Sequence, residues 1–133
     1  MANLIAVIGI PIFIGLTCIL FGSFITFDQL IRLEYNSYRS QWEKDGKPRG
    51  FFWFPREFWK SQNIGWFNKW KSQYASNWTM QRSHFIWLFS TPKWMKQDEL
   101  AQKLVKRFRV LVLLWNLGFF SSLIFLMVLR AQS

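Results

Sequence analysis

Residues 2–27 read ANLIAVIGIPIFIGLTCILFGSFITF and carry no charged side chain. As an α-helix this stretch extends about 39 Å, enough to cross a hydrocarbon core of roughly 30 Å with some tilt. A helix also satisfies every backbone N–H and C=O within the segment, which lipid cannot do. A second uncharged run, Val110 to Leu129, lies near the other end of the chain. A cleaved secretory signal is the competing reading of the first run. It lacks a basic n-region, its apolar stretch is too long, and no small-x-small cleavage site follows. Pro11 lies near the outer end, where neighbouring helices can satisfy a freed carbonyl.

Two such segments predict an all-α integral membrane protein: a two-span antiparallel transmembrane hairpin with helical extensions and an amphipathic, Trp-rich cytoplasmic subdomain. In the first span Gly15, Cys18, Gly22 and Thr26 recur at helical spacing, a small-residue face that permits close helix approach. The second offers Asn116, Gly118, Ser121 and Ser122. Counted from the charged side of each span, Cys18 and Gly118 are about nine residues deep, and Gly15 and Ser122 about twelve. Helix packing is therefore expected through Gly15, Cys18, Gly22, Asn116, Gly118 and Ser122. Asn116 is read as a helix–helix hydrogen bond rather than a transport site.

Net charge is +10, and its placement is uneven. All seven acids and sixteen of the seventeen Lys/Arg lie between Asp28 and Arg109, leaving Arg130 alone outside. By the positive-inside rule the region between the spans is cytoplasmic and both termini face outward. The interval exceeds the about 60 residues over which that rule works best, so the weight falls on the basic collar Lys103, Lys106, Arg107 and Arg109. A bacterial inner membrane fits, and an organelle inner membrane gives the same pattern.

The interval divides by composition. Residues 28–45 continue the first helix, with Ile31, Tyr35, Tyr38 and Trp42 as an apolar stripe and Arg32, Glu34, Arg39 and Glu43 on other faces. Gly46 and Pro48 end it within a cationic turn containing Lys44, Lys47 and Arg49. Residues 46–97 form an aromatic, basic membrane-surface region. Within it, Phe51 to Trp94 holds seven of the nine tryptophans and seven phenylalanines, with Glu57 as its only acid. Asn63 to Trp78 is the best amphipathic stretch, with Phe67, Trp70, Tyr74 and Trp78 on one face. Phe85 to Phe89 is a short apolar run suited to dip into a leaflet or fill a groove in a partner. Thr91 and Pro92 restart a helix as N-cap and first position. Residues 98–109 form an approach helix whose first turn carries Asp98 and Glu99.

No catalytic fingerprint, phosphate-binding loop or dinucleotide motif is present. Cys18 is the single cysteine and His84 the single histidine, which rules out cysteine-based or all-histidine metal sites. His84 is read as a surface or interface side chain. No catalytic residue, cofactor or metal is expected. Basic-plus-aromatic composition also suits single-stranded nucleic acid, but here the aromatics follow amphipathic helical spacing and are tethered to a bilayer, so nucleic acid is not expected as a partner.

The expectation is a non-catalytic accessory or assembly subunit of a larger membrane protein complex. Trp66, Phe67, Lys69, Trp70, Lys71, Tyr74, Trp78 and Arg82 are the candidate docking residues for other membrane subunits or for anionic phospholipid headgroups. The alternative is a free-standing membrane-surface adaptor that binds anionic lipid or recruits soluble partners. A small channel, carrier or enzyme is a more distant third.

Overall fold

The computed structural model describes residues 2–57 and 66–131, with side chains at 7–57, 75 and 77–131. Every regular element among them is helical: α1 (Ala2–Ser37), α2 (Arg39–Lys44), α3 (Trp66–Phe89), α4 (Lys93–Gln97) and α5 (Glu99–Ala131). Two of these, α1 and α5, contain stretches long and apolar enough to cross a membrane. Pro11 lies inside α1.

Five polar side chains within the two apolar stretches bond to backbone carbonyls of their own helices. Thr17 donates to Phe13 O (2.8 Å), Thr26 to Gly22 O (2.8 Å), and Ser23 to Leu20 O (2.7 Å). On α5, Ser122 donates to Gly118 O (2.7 Å). Asn116 donates to Val112 O (2.7 Å), so its amide serves its own helix rather than bridging to α1. Such back-bonding leaves van der Waals fit to decide how the two helices meet. A Cβ added at Gly118 would come within 2.5 Å of Leu16 Cδ2, and one at Gly22 would touch Leu111 at 3.6 Å. Gly15 faces open space and Cys18 is exposed, so the contact runs through Leu16 rather than through those two.

Beyond Phe27 the chain becomes polar, and α1 gains a buried face. Phe27, Leu30 and Ile31 are fully covered, packing with Trp87, Met95, Ala101, Val105 and Phe108. The helix does not run unbroken to Lys44. Tyr38 leaves helical geometry (φ −129°, ψ 47°), and α2 begins as a separate short helix. Trp42, 1% exposed, donates its indole N–H to Pro48 O (2.8 Å). Gly46 (φ 86°) and Lys47 (φ 57°) occupy the left-handed region and turn the chain back along α1.

Asp28 receives that returning strand of chain. Its Oδ1 accepts the backbone N–H of Phe51 (2.6 Å), and its Oδ2 accepts those of Phe52 (2.8 Å) and Trp53 (2.9 Å). The clamp presses the aromatic run onto α1: Phe51 stacks on Phe24 (4.1 Å between centroids) and Phe52 on Phe21 (5.9 Å). Gly50 is required here, because any Cβ would collide with the Asp28 carboxylate.

At the start of α5, Asp98 caps the helix by accepting the Ala101 N–H (2.9 Å) and also accepts the Tyr38 hydroxyl (3.0 Å). One carboxylate thus fixes the end of α1 to the beginning of α5. Thr91 does not cap α4, whose N-cap is Pro92 without a side-chain bond. Its hydroxyl instead accepts from Arg109 (3.0 Å).

Replacing Asp28 by Ala leaves three N–H groups without their acceptor, and unfolding stability in detergent should fall by about 3 kcal/mol or more. Gly50→Ala should lose about 1–3 kcal/mol through overpacking. Near-UV circular dichroism melts report both. A D28A melt superimposable on the wild type would show that the three bonds do not hold this region.

Candidate docking surface

Helix α3 is two-sided. Met80 (7% exposed), Ser83 (5%) and Trp87 (2%) face the core. Four side chains on the opposite face are solvent-accessible: Trp78 (64%), Arg82, Phe85 (65%) and Phe89 (77%). Spacings of four, three and four residues put these on one stripe. Phe85 and Phe89 lie 5.1 Å apart between ring centroids. An exposed stripe of three large aromatics exceeds the scattered apolar exposure that folded surfaces normally carry.

The buried side explains why α3 is held so firmly. Phe27 packs against Trp87 (5.3 Å) and His84 (5.2 Å), and His84 against Phe108 (4.9 Å) and Phe51 (5.6 Å). Burial lowers the His84 pKa, and the half-buried ring packs among these aromatics rather than on an open surface. At the C-terminal end of α3, Arg109 donates to Trp87 O and Ser90 O, both at 2.8 Å. A cation on the last carbonyls complements the helix dipole. The same arginine is the last charge before the apolar stretch of α5. Phe85 and Phe89 therefore sit at the level where the apolar stretches begin, and Trp78 stands about 16 Å further along the helix.

The other end of the described α3 is tied to the turn after α2. Arg49 donates through Nε (2.8 Å) and Nη2 to Asn77 Oδ1. Gly46 lies against Thr79, whose Cγ2 would be 2.8 Å from an added Cβ. Arg39 stacks over Tyr35 (4.2 Å) and Trp42 (4.6 Å) and binds Glu57 at 2.6 Å. That contact holds the Glu57 carboxyl down at about 2. Among the described residues no group of three or more His, Cys, Asp or Glu side chains forms a cluster able to hold a metal ion.

Of the sequence-predicted docking residues, Trp78 and Arg82 are brought together on the exposed stripe. Trp66, Phe67, Lys69, Trp70, Lys71 and Tyr74 lie on the first turns of α3, with side chains outside the described residues. Phe85 and Phe89 complete the stripe. Their offset from Trp78 is the sequence signal, and it becomes readable once the helix is extended through Phe89.

Glu34 departs from its expected place on an outer face. It is fully buried beside the Asp45 carboxyl, and its oxygens find no other hydrogen-bond partner. Burial pushes its pKa up from 4.5 to about 9, and the neighbouring Asp45 carboxyl adds to the shift. Asp45 itself accepts from Gln41 Nε2 (2.9 Å). At neutral pH Glu34 is thus a neutral acid wedged into the junction between α1 and the returning turn. By contrast the Ala101 N–H holds Asp98 below its usual value, and Asp98 pushes the Tyr38 hydroxyl up.

No protein-family model, curated protein or solved structure matches this chain.

Because Glu34 keeps its proton when folded and loses it when unfolded between pH 4.5 and about 9, stability should fall as pH rises through that window. Glu34→Gln mimics the neutral acid and cannot ionise. It should flatten the pH dependence and be more stable than wild type at pH 8 by an amount on the order of a few kcal/mol. Parallel pH slopes for the two proteins, measured by thermal melts from pH 5 to 9, would contradict a neutral Glu34.

Proposed function

We propose that this chain is a non-catalytic accessory or assembly subunit of a larger membrane complex. The two spans form an antiparallel hairpin, and the region between them faces the cytoplasm, or the corresponding inner side of an organelle membrane. Pairing of Leu16 with Gly118 and of Gly22 with Leu111 supports the hairpin, since position rises on one helix as it falls on the other. The crowding of basic residues between the spans supports the orientation.

The observation that carries the docking role is the exposed aromatic stripe of α3. Its other face is locked into the core, so the stripe is presented rather than loosely exposed. A leaflet can cover Phe85 and Phe89, which lie at the boundary. Trp78 stands further out and calls for a protein surface, where Trp and Arg side by side make effective anchors. The second reading, a membrane-surface adaptor for anionic lipid, rests on the same stripe through Arg82 and the boundary phenylalanines.

Solubilised in mild detergent and sized in the native state, the protein should migrate as a heteromeric particle much larger than its own 16.1 kDa. Recovery solely as a lone or self-associated small species would count against the subunit role and favour the adaptor. Within the hairpin, Gly118→Leu should abolish cross-linking between the spans while Gly15→Leu leaves it intact. The reverse pattern would overturn this pairing.

A further inference from the structure

On the far side of the Leu16–Gly118 contact from the charged region, α1 and α5 diverge around a cavity of about 710 Å³. Its walls run from Ile8 to Leu16 on α1 and from Phe119 to Arg130 on α5. They are apolar apart from a serine pair that includes Ser122, and from Arg130 at the outer mouth. The volume lies within the range of small-molecule sites, about 300–1,000 Å³.

We propose that this groove is a binding site for one anionic phospholipid, with an acyl chain between the helices and its phosphate on Arg130. The inference rests on the reading that both helices cross a bilayer. The groove's length sets the class of occupant. The α1 wall covers about 12 Å of helix rise and the α5 wall about 16 Å. That is one leaflet of a hydrocarbon core roughly 30 Å thick. A transmembrane helix from a partner would need a seam through both leaflets, whereas this groove is closed at mid-depth where Leu16 meets Gly118. Charge complementarity sets the headgroup. Arg130 is the only charged side chain outside residues 28–109, and it stands at the groove's outer end where a headgroup phosphate would lie. An arginine there can lay its stem along the apolar wall and offer paired donors to a phosphate.

The test uses the full chain in mild detergent and native mass spectrometry, titrating phosphatidylglycerol or phosphatidylcholine with identical acyl chains. Wild type should retain a single phosphatidylglycerol about fivefold more tightly than phosphatidylcholine, whose choline offsets its phosphate charge; that is the worth of one cation beside a net-negative headgroup. Arg130→Gln should bring that ratio to about one. Gly9→Phe places a ring in the groove where nothing lies within 4 Å of the added Cβ, and it should weaken both lipids. Ser122→Phe fills the opposite wall and guards against misfolding of a single variant, with far-UV circular dichroism confirming helix content. Equal retention of both lipids by wild type would overturn the site. So would a preference surviving in R130Q, or binding unchanged in both groove-filling variants. A polypeptide cross-linked from within the groove would replace the lipid with a protein occupant. Release of the chain from membranes by alkaline carbonate would instead defeat the bilayer reading itself, so the two failures are distinguishable.

Discussion

Asp28 is the residue on which the arrangement of the polar end depends. It is the first charge after a 26-residue uncharged run. A carboxylate in that position needs donors, and it finds them in three consecutive backbone N–H groups of Phe51, Phe52 and Trp53. Those amides could not be left unpaired beside an apolar surface. One acceptor therefore solves two problems: it satisfies an irregular stretch of backbone and pins a run of phenylalanines to the rings of Phe21 and Phe24. Gly50 is the steric condition, since a Cβ at that position would collide with the carboxylate.

With that segment fixed, the rest follows by packing. Phe51 forms one wall of the aromatic cage around His84, and Phe27 and Phe108 form the others. Helix α3 is thereby committed to one rotational setting, with Arg109 closing its C-terminal end. That setting turns Trp78, Arg82, Phe85 and Phe89 outward. The exposed stripe is a consequence of how the buried face is satisfied. Between the apolar stretches of α1 and α5 no comparable polar bridge appears among the described residues; Thr17, Ser23, Thr26, Ser122 and the Asn116 amide bond within their own helices.

Much of this was legible in the sequence. The two uncharged runs specify the long helices, and the acids at 98 and 99 specify where α5 starts. Trp42 and Ile31 fall on the predicted stripe and are buried. What could not be read depends on contacts distant in sequence. Asp28 has an arginine four residues on, which suggests a local ion pair; its actual partners lie more than twenty residues away. Glu34 sits among charged neighbours and looks solvated, yet the returning turn covers it. Small residues at 15 and 18 mark a possible seam, but a one-residue rotation about α1 gives the contact to Leu16 instead. Periodicity fixes which residues share a face, and only the partner elements decide which face is covered.

We propose the outward face of α3 as a protein-docking surface. Photo-crosslinking in native membranes tests it most directly, with a photoreactive residue placed in turn at positions 78, 85 and 89, and at 80 and 87 as buried controls. A docking face gives a discrete protein adduct from position 78, adducts to protein or lipid from 85 and 89, and only intramolecular products from 80 and 87. Absence of any protein adduct from position 78, with lipid products alone along the whole stripe, would contradict it.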